Sequence, residues 1–296
     1  MLTHDLNVTA GRVHTPSGIP VPGGPTIDGV YKLEDDSGFY LTAANDYLAF
    51  ETAETALWTP ANSTAIEGWW DASDSSTITT SGSEVTQWSD KSGNGNDVSQ
   101  SAGGSRPSPV ANGLNGLQVL NFDGTADHLV SNTFVLQNAH SIYAVAKSNT
   151  NGYRRLLNIE KYYYLGNGNG NNDFATLYGS NGWISTDTNT PAKSIEAHSI
   201  LVAVSDGTNA IPYHNGTAQN SRSSNMGGAA PAGITIGRHS AKSEQYWDGH
   251  IAEIIIFNKN HSNTEREQVE GYLAHKWGID GNLDSSHPYA LGAPTI

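Results

Sequence analysis

The sequence predicts an all-β protein, an antiparallel β-sandwich or jelly roll closed by one C-terminal α-helix and preceded by an extended N-terminal arm. Three observations predict it. Short apolar runs with strand character recur between residues 66 and 257. Turn residues punctuate them: the chain of 296 residues holds 32 glycines, many in Asn-Gly and Ser-Gly pairs. One stretch only, 262–278, combines helical spacing with capping residues at both ends.

That stretch follows the strand His250-Ile-Ala-Glu-Ile-Ile-Ile-Phe257, apolar on both faces and therefore expected to be covered on both. Simple alternation puts Ile251, Glu253, Ile255 and Phe257 on one side and Ala252, Ile254 and Ile256 on the other. Ser262 and Glu265 make an S-x-x-E capping box. Val269, Tyr272, Leu273 and Trp277 share a helical face, and Gly278 stands where a left-handed cap is wanted. The helix is expected to lean that face on the β body.

Together with an upstream block, this ending resembles the concanavalin A-like lectin/glucanase superfamily in its laminin-G-like jelly-roll branch. The upstream block runs Gly68-Trp-Trp-Asp71, then Val85 to Asn96, then Val119-Leu-Asn-Phe-Asp-Gly124 and Asp127-His-Leu129. The resemblance brackets residues 66–278. It implies a lectin-like sandwich of the kind found in tailed-bacteriophage virion proteins and in secreted bacterial proteins. The fold serves binding, catalysis and architecture alike, so it does not by itself choose among them.

Taken in order, residues 1–28 carry Pro16, Pro20, Pro22 and Pro25, which exclude helix and central strand and leave an extended arm, either a plain linker or a docking arm that wraps a neighbour. Residues 29–58 read as a small meander, with strands at Val30 to Glu34, Phe39 to Thr42 and Tyr47 to Glu51, too short to hold a core alone. Residues 1–58 are thus the expected attachment segment, 59–65 a linker, and 66–296 the jelly-roll domain. Further strands are expected at 117–122, 140–147, 155–160, 174–177, 182–185, 198–205, 210–214 and 233–237.

With 15 basic and 29 acidic residues the net charge is −14, which disfavours nucleic acid and anionic membranes as partners. There is no Cys, so neither disulfide nor thiolate metal site forms. The N-terminus lacks a basic region followed by an apolar one, so no secretory signal is read there.

Glucanases of the resembled fold use carboxylates at E-x-D-x-x-E spacing on one strand; that pattern is absent, and Glu67 with Asp71 is the nearest pair. No nucleophile elbow, zincin motif or phosphate loop occurs, and the 11 histidines are scattered, so no catalytic residue, metal ligand or cofactor is expected. Asp90, Asn94, Asn96 and Asp97 form an oxygen-rich loop, read as a turn capped by its own side chains rather than a calcium site. Sugars are held by aromatic planes beside polar side chains. Lys161 to Asp173, followed by Trp183, offers both, and Tyr163, Asn169, Asn171, Asp173 and Trp183 are the candidate glycan-binding residues; Tyr246 and Trp247 are a second candidate. The resulting expectation is a non-enzymatic structural virion protein of a tailed bacteriophage, of head-decoration or head-fibre type. It would be assembled in the host cytoplasm and form a homo-oligomer in the particle, bound to the major capsid protein or an adjacent subunit through residues 1–58, with a lectin-like face for cell-surface glycans. A tail fibre, a stand-alone carbohydrate-binding module of a secreted protein, and a polysaccharide-active enzyme are the alternatives, in that order.

Overall fold

The computed structural model describes residues 31–32, 39–44, 47–52, 55–131, 134–150, 154–159, 163–167, 177–179, 182–184, 197–219, 222–223, 233–240 and 245–296. The chain divides into two units, Met1–Thr55 and Ala56–Ile296. In the first, β1 (Tyr31–Lys32), β2 (Phe39–Ala44) and β3 (Tyr47–Thr52) form an antiparallel meander. The proline-rich arm lies outside the described residues. Residues 59–65, read from sequence as a linker, fall inside the second unit.

The second unit begins with β4 (Ile66–Asp71), β5 (Ile78–Ser81), β6 (Glu84–Trp88), β7 (Val98–Ser99) and β8 (Ser108–Leu114). It continues with β9 (Leu117–Asp123), β10 (Leu129–Ser131), β11 (Ala139–Ser148), β12 (Arg154–Ile159), β13 (Tyr163–Asn167), β14 (Leu177–Gly179) and β15 (Gly182–Ile184). Then come β16 (Ser199–Asp206), β17 (Asn209–His214), β18 (Thr217–Ala218), β19 (Arg222–Ser223), β20 (Ile234–Ile236), β21 (Asp248–Phe257) and the single α-helix α1 (Asn263–Trp277).

Two antiparallel sheets make the sandwich. One runs β13-β12-β20-β10-β7-β6-β5; the other runs β18-β17-β16-β11-β21-β9-β8, with β4 also on β21 and β19 also on β17. Between them lies a dry core that includes Trp70, Trp88, Phe122, Leu129, Ile142, Leu157, Ile236, Trp247, Ile254 and Ile256, all buried. Gly68 is required by this core. A Cβ there would lie 2.5 Å from the Trp70 ring and 3.3 Å from Phe134.

The helix lies on the outer face of the β21 sheet, as its apolar stripe predicts. Val269, Leu273 and Trp277 are buried against Trp69, Tyr143, Ile255 and Phe257. Both caps form as expected: Ser262 Oγ accepts from Glu265 N at 3.3 Å, Glu265 Oε2 accepts from Ser262 N at 2.9 Å, and Gly278 takes φ +63°. The tail folds back over the helix. His275 Nε2 donates to Tyr289 O at 2.7 Å, and Tyr289 sits so close to Gly271 that a Cβ there would meet its own at 2.5 Å.

Strict alternation along β21 is corrected by the structure. Val145 of β11 pairs with Glu253 but Ala146 pairs with Ile251, which leaves Ala252 as an extra residue in a β-bulge. Ile251 therefore joins Ile254 and Ile256 in the sandwich interior, whereas Ala252 sits with Ile255 and Phe257 under the helix.

Candidate functional site

The two outward faces carry different chemistry. Beneath the helix, Glu253, Asp71, Lys276 and Lys91 are consumed by one another. Glu253 is fully buried, and its Oε1 accepts from Trp69 Nε1 at 2.7 Å and Tyr272 OH at 3.0 Å. Its Oε2 accepts from Trp277 Nε1 and Lys276 Nζ, both at 2.7 Å. Lys276 also bridges to Asp71 Oδ2 at 2.8 Å, and Lys91 reaches Asp71 and Asp74 at 2.9 and 2.8 Å. Burial pushes the Glu253 carboxyl up, while Lys276 pulls it back. Every oxygen of Glu253 is saturated, so this cluster is a fastening of α1 to β4 and β21.

Glu67 and Asp71, the nearest approach to a catalytic pair, are engaged separately. Glu67 Oε2 accepts from Asn258 Nδ2 at 2.7 Å, while Asp71 holds the two lysines. The oxygen-rich loop caps itself, as read from sequence. Asp90 Oδ1 accepts from Trp69 N and Ser92 N at 2.9 and 2.8 Å, Asp90 Oδ2 accepts from Asn96 N at 3.0 Å, and Asp97 Oδ1 accepts from Asp90 N at 2.8 Å. Among the described residues no group of three or more His, Asp or Glu is placed to hold a metal ion.

The other outward face belongs to the seven-stranded sheet. Its cross-strand register lines up Asn158, Thr235, Val130, Ser99, Gln87 and Thr79 in one row. Their chain neighbours Leu157, Ile236, Leu129, Val98 and Trp88 point inward to the core, so the row points away from it; Ser99 and Thr79 are exposed, whereas Asn158 and Thr235 are buried and Asn158 Oδ1 accepts from Ser240 N at 2.9 Å. Five of its six members are polar.

At one end of this face stands a cluster around Tyr246. His128 precedes Leu129, and so falls on the same side of β10 as Val130. Its ring lies 6.3 Å from that of Tyr246. His128 Nδ1 donates to Ala126 O at 2.8 Å, which fixes the tautomer and leaves Nε2 to accept from Gln100 Nε2 at 2.7 Å. Burial, and then the Arg238 charge, hold this imidazole neutral by lowering its pKa. The loop leading to it is built by Asp123, whose Oδ1 accepts from the backbone N–H of Thr125, Ala126 and Asp127 at 2.8, 2.9 and 3.1 Å. Asp127 Oδ2 in turn accepts from Asp123 N at 2.9 Å.

The residue before Tyr246 is strained. Gln245 takes φ +75°, in the left-handed region that a Gln side chain disfavours, and its Oε1 is buried without a hydrogen-bond partner. Arg238 Nε is likewise buried and unpartnered. The half-buried Tyr246 ring thus stands beside the His128 imidazole, which holds the Gln100 amide, and the Arg154 guanidinium donates from Nη1 to the Tyr246 carbonyl at 3.2 Å. That set suits stacking and hydrogen bonding to a polyhydroxylated ligand better than proton transfer.

Of the second candidate pair, Tyr246 joins this cluster, whereas Trp247 is fully buried in the sandwich core. Tyr163 lies on β13, the edge strand of the same sheet, opposite Ile159; Trp183 lies on β15, paired with Tyr178 of β14. Asn169, Asn171 and Asp173 lie outside the described residues. His128, Gln100 and Arg238 were not singled out from sequence. The polar Asp127-His128 step before an apolar strand was the available signal.

Residues 123–265 match a laminin-G-like family model of the concanavalin A-like lectin/glucanases superfamily. No curated protein sequence matches the chain. Among solved structures it is similar to domain 4 of an extracellular GH43 arabinanase from Geobacillus stearothermophilus, solved with arabinotriose. The TM-score is 0.50 at 14% identity, over 68% of this chain and 95% of that domain. It is also similar to Trypanosoma rangeli sialidase in complex with sialic acid, with TM-score 0.51 at 13% identity over 76% of this chain. The match spans 36% of the sialidase. At such identities the likeness establishes a lectin-like β-sandwich fold.

Proposed function

We propose that the second unit is a non-enzymatic carbohydrate-binding module whose ligand lies on the outer face of the seven-stranded sheet, against Tyr246. The observation that carries this reading is the contrast in saturation. Both oxygens of the buried Glu253 under the helix are spent on internal partners, whereas the outward row of the other sheet is polar and Tyr246 offers an aromatic plane beside His128, which holds Gln100 and feels the charge of Arg238. The family match over residues 123–265 is consistent with it. The test is binding of the full chain to immobilised bacterial polysaccharides and arabino-oligosaccharides. Saturable binding that falls at least tenfold in Tyr246→Ala, at unchanged stability, supports the reading. Binding indifferent to Tyr246→Ala overturns it. Release of reducing ends, abolished by Glu67→Gln or Asp71→Asn, would make the protein an enzyme instead.

We further propose that residues 1–58 tether this module to a tailed-bacteriophage particle, as a head decoration or head fibre assembled in the host cytoplasm. Support comes from the resemblance noted above, the proline-rich arm, and a meander of strands too short to hold a core alone. Incorporation into particles at the normal level after deletion of residues 1–55, which leaves the second unit whole, would sink this part and leave the carbohydrate-binding reading intact. Such a result would favour a stand-alone module.

A further inference from the structure

A second polar group lies on the opposite sheet, at the end of its outer face. Lys147 of β11 pairs in register with His250 of β21, and His250 with Asn121 of β9. Ala146 and Ile251, the chain neighbours of Lys147 and His250, face the sandwich core, so Lys147, His250 and Asn121 face outward. His198, just before β16, completes the group. His250 Nδ1 and His198 Nε2 are 3.2 Å apart, and the two rings lie 5.3 Å apart, tilted by 32°. Asn282 of the tail holds His198 in place by donating to its carbonyl at 3.1 Å.

What marks this group is its composition. One hydrogen bond between the rings leaves His250 Nε2 and His198 Nδ1, and neither has a partner among the described residues. Lys147 makes no ion pair among them, whereas Lys91, Lys259 and Lys276 each hold a carboxylate. The nearest acidic side chains along the strands are already occupied. Asp248 accepts from Asn149 Nδ2 at 3.2 Å, and Asp123 caps its own loop. Three half-buried nitrogen bases therefore converge without a counter-ion in a chain of net charge −14. Burial first, and then the neighbouring positive charges, holds His198 down to about 4 and lowers His250 as well. An anion placed among them would relieve that repulsion, and a divalent cation would have to overcome Lys147.

We propose that Lys147, His198 and His250 form a binding site for a small oxyanion, the carboxylate, sulfate or phosphate group of a ligand. Lys147 supplies the fixed charge. The paired imidazoles supply one ring N–H donor and take up a proton as the anion binds. Asn121 supplies an amide at the rim. The site is separate from the Tyr246 cluster, and the two readings stand or fall independently.

The experiment is NMR titration of the full chain, following the His198 and His250 ring signals, with inorganic sulfate, inorganic phosphate and a galacturonate trimer in separate arms at constant ionic strength. The expected result is a saturable shift of both rings, with titration of the pair moved to higher pH by the bound anion. The affinity should fall at least tenfold in Lys147→Met and in His198→Ala, and stay unchanged in Tyr246→Ala. The tightest arm identifies whether the oxyanion is inorganic or borne by an acidic sugar. A shift that does not saturate, or one that Lys147→Met leaves untouched, overturns the proposal. So does tight binding of zinc ion alone to the His pair with no response to any anion.

Discussion

On the nine-stranded sheet, the side chains pointing away from the sandwich include Trp69, Tyr143, Ile255 and Phe257, and a helix covers them. On the seven-stranded sheet the residues in the equivalent outward positions are Asn158, Thr235, Ser99, Gln87 and Thr79. Beneath the helix the first face is apolar, and Glu253, Asp71, Lys276 and Lys91 form one network at its edge. The second is polar and ends in Tyr246. The difference teaches how one fold can spend one face on stability and leave the other for recognition. The helix removes roughly a whole apolar stripe from water, and burying each large apolar side chain contributes about 1.5–3 kcal/mol. The polar face contributes little of that kind, and is correspondingly free to vary.

The largest effect that would break this comparison lies at Glu253. Glu253→Ala leaves Lys276 with Asp71 alone and strands three donors, Trp69 Nε1, Tyr272 OH and Trp277 Nε1. Removing one partner of a buried ion pair costs about 3–5 kcal/mol. Chemical denaturation of the full chain should show a loss of that size. A loss no larger than that of an exposed substitution would mean the network is ornamental. Trp277→Phe is a finer probe. It keeps most of the packing and removes only the Nε1 bond to Glu253, so a cost of about 1–2 kcal/mol is expected in the same assay.

Next comes a pH effect on the polar side. Burial first, and then the charge of Asp123, raises the Asp127 carboxyl from 3.8 to about 7. A carboxyl raised in the folded state stabilises the fold when protonated. Its contribution is complete below about pH 3.8 and is lost as pH rises through about 7. Asp127→Asn should therefore melt higher than the parent at pH 8, and the gap should close toward pH 4. A gap that is the same at both values would show that Asp127 is not the titrating group. The smallest effect is expected at Ser99→Ala, an exposed member of the outward row. It should change stability by no more than about 0.5 kcal/mol in denaturant. A larger loss would show that this face is also structural.

Much of the fold was legible from residues close in sequence. The helix boundaries followed from Ser262, Glu265 and Gly278, which act within one turn of the ends they cap. The three strands of the meander followed from the turns between them. The register of β21 did not. A bulge is decided by how two strands meet, and nothing in Ile251-Ala-Glu253 announces that Ala252 is the extra residue. The role of Glu253 was hidden for the same reason. Its partner Trp69 is 184 positions away, although a lone carboxylate among isoleucines was a visible anomaly. The candidate site was half legible. Tyr246 stood out as an aromatic after a polar run, but its neighbour His128, and the Gln100 and Arg238 that act on that imidazole, come together only through the pairing of β10, β7 and β20. Asn169, Asn171 and Asp173, the loop residues named from sequence, lie outside the described residues.

The division between a fastened face and a recognising face is tested most directly by mapping the footprint of a bound oligosaccharide with backbone amide shifts on the full chain. The account predicts changes concentrated at His128, Thr235, Arg238 and Tyr246, with the amides of β4 and α1 unmoved. A footprint centred on Trp69, Tyr272 and Trp277 would contradict it, because it would place the ligand where the structure places the fastening.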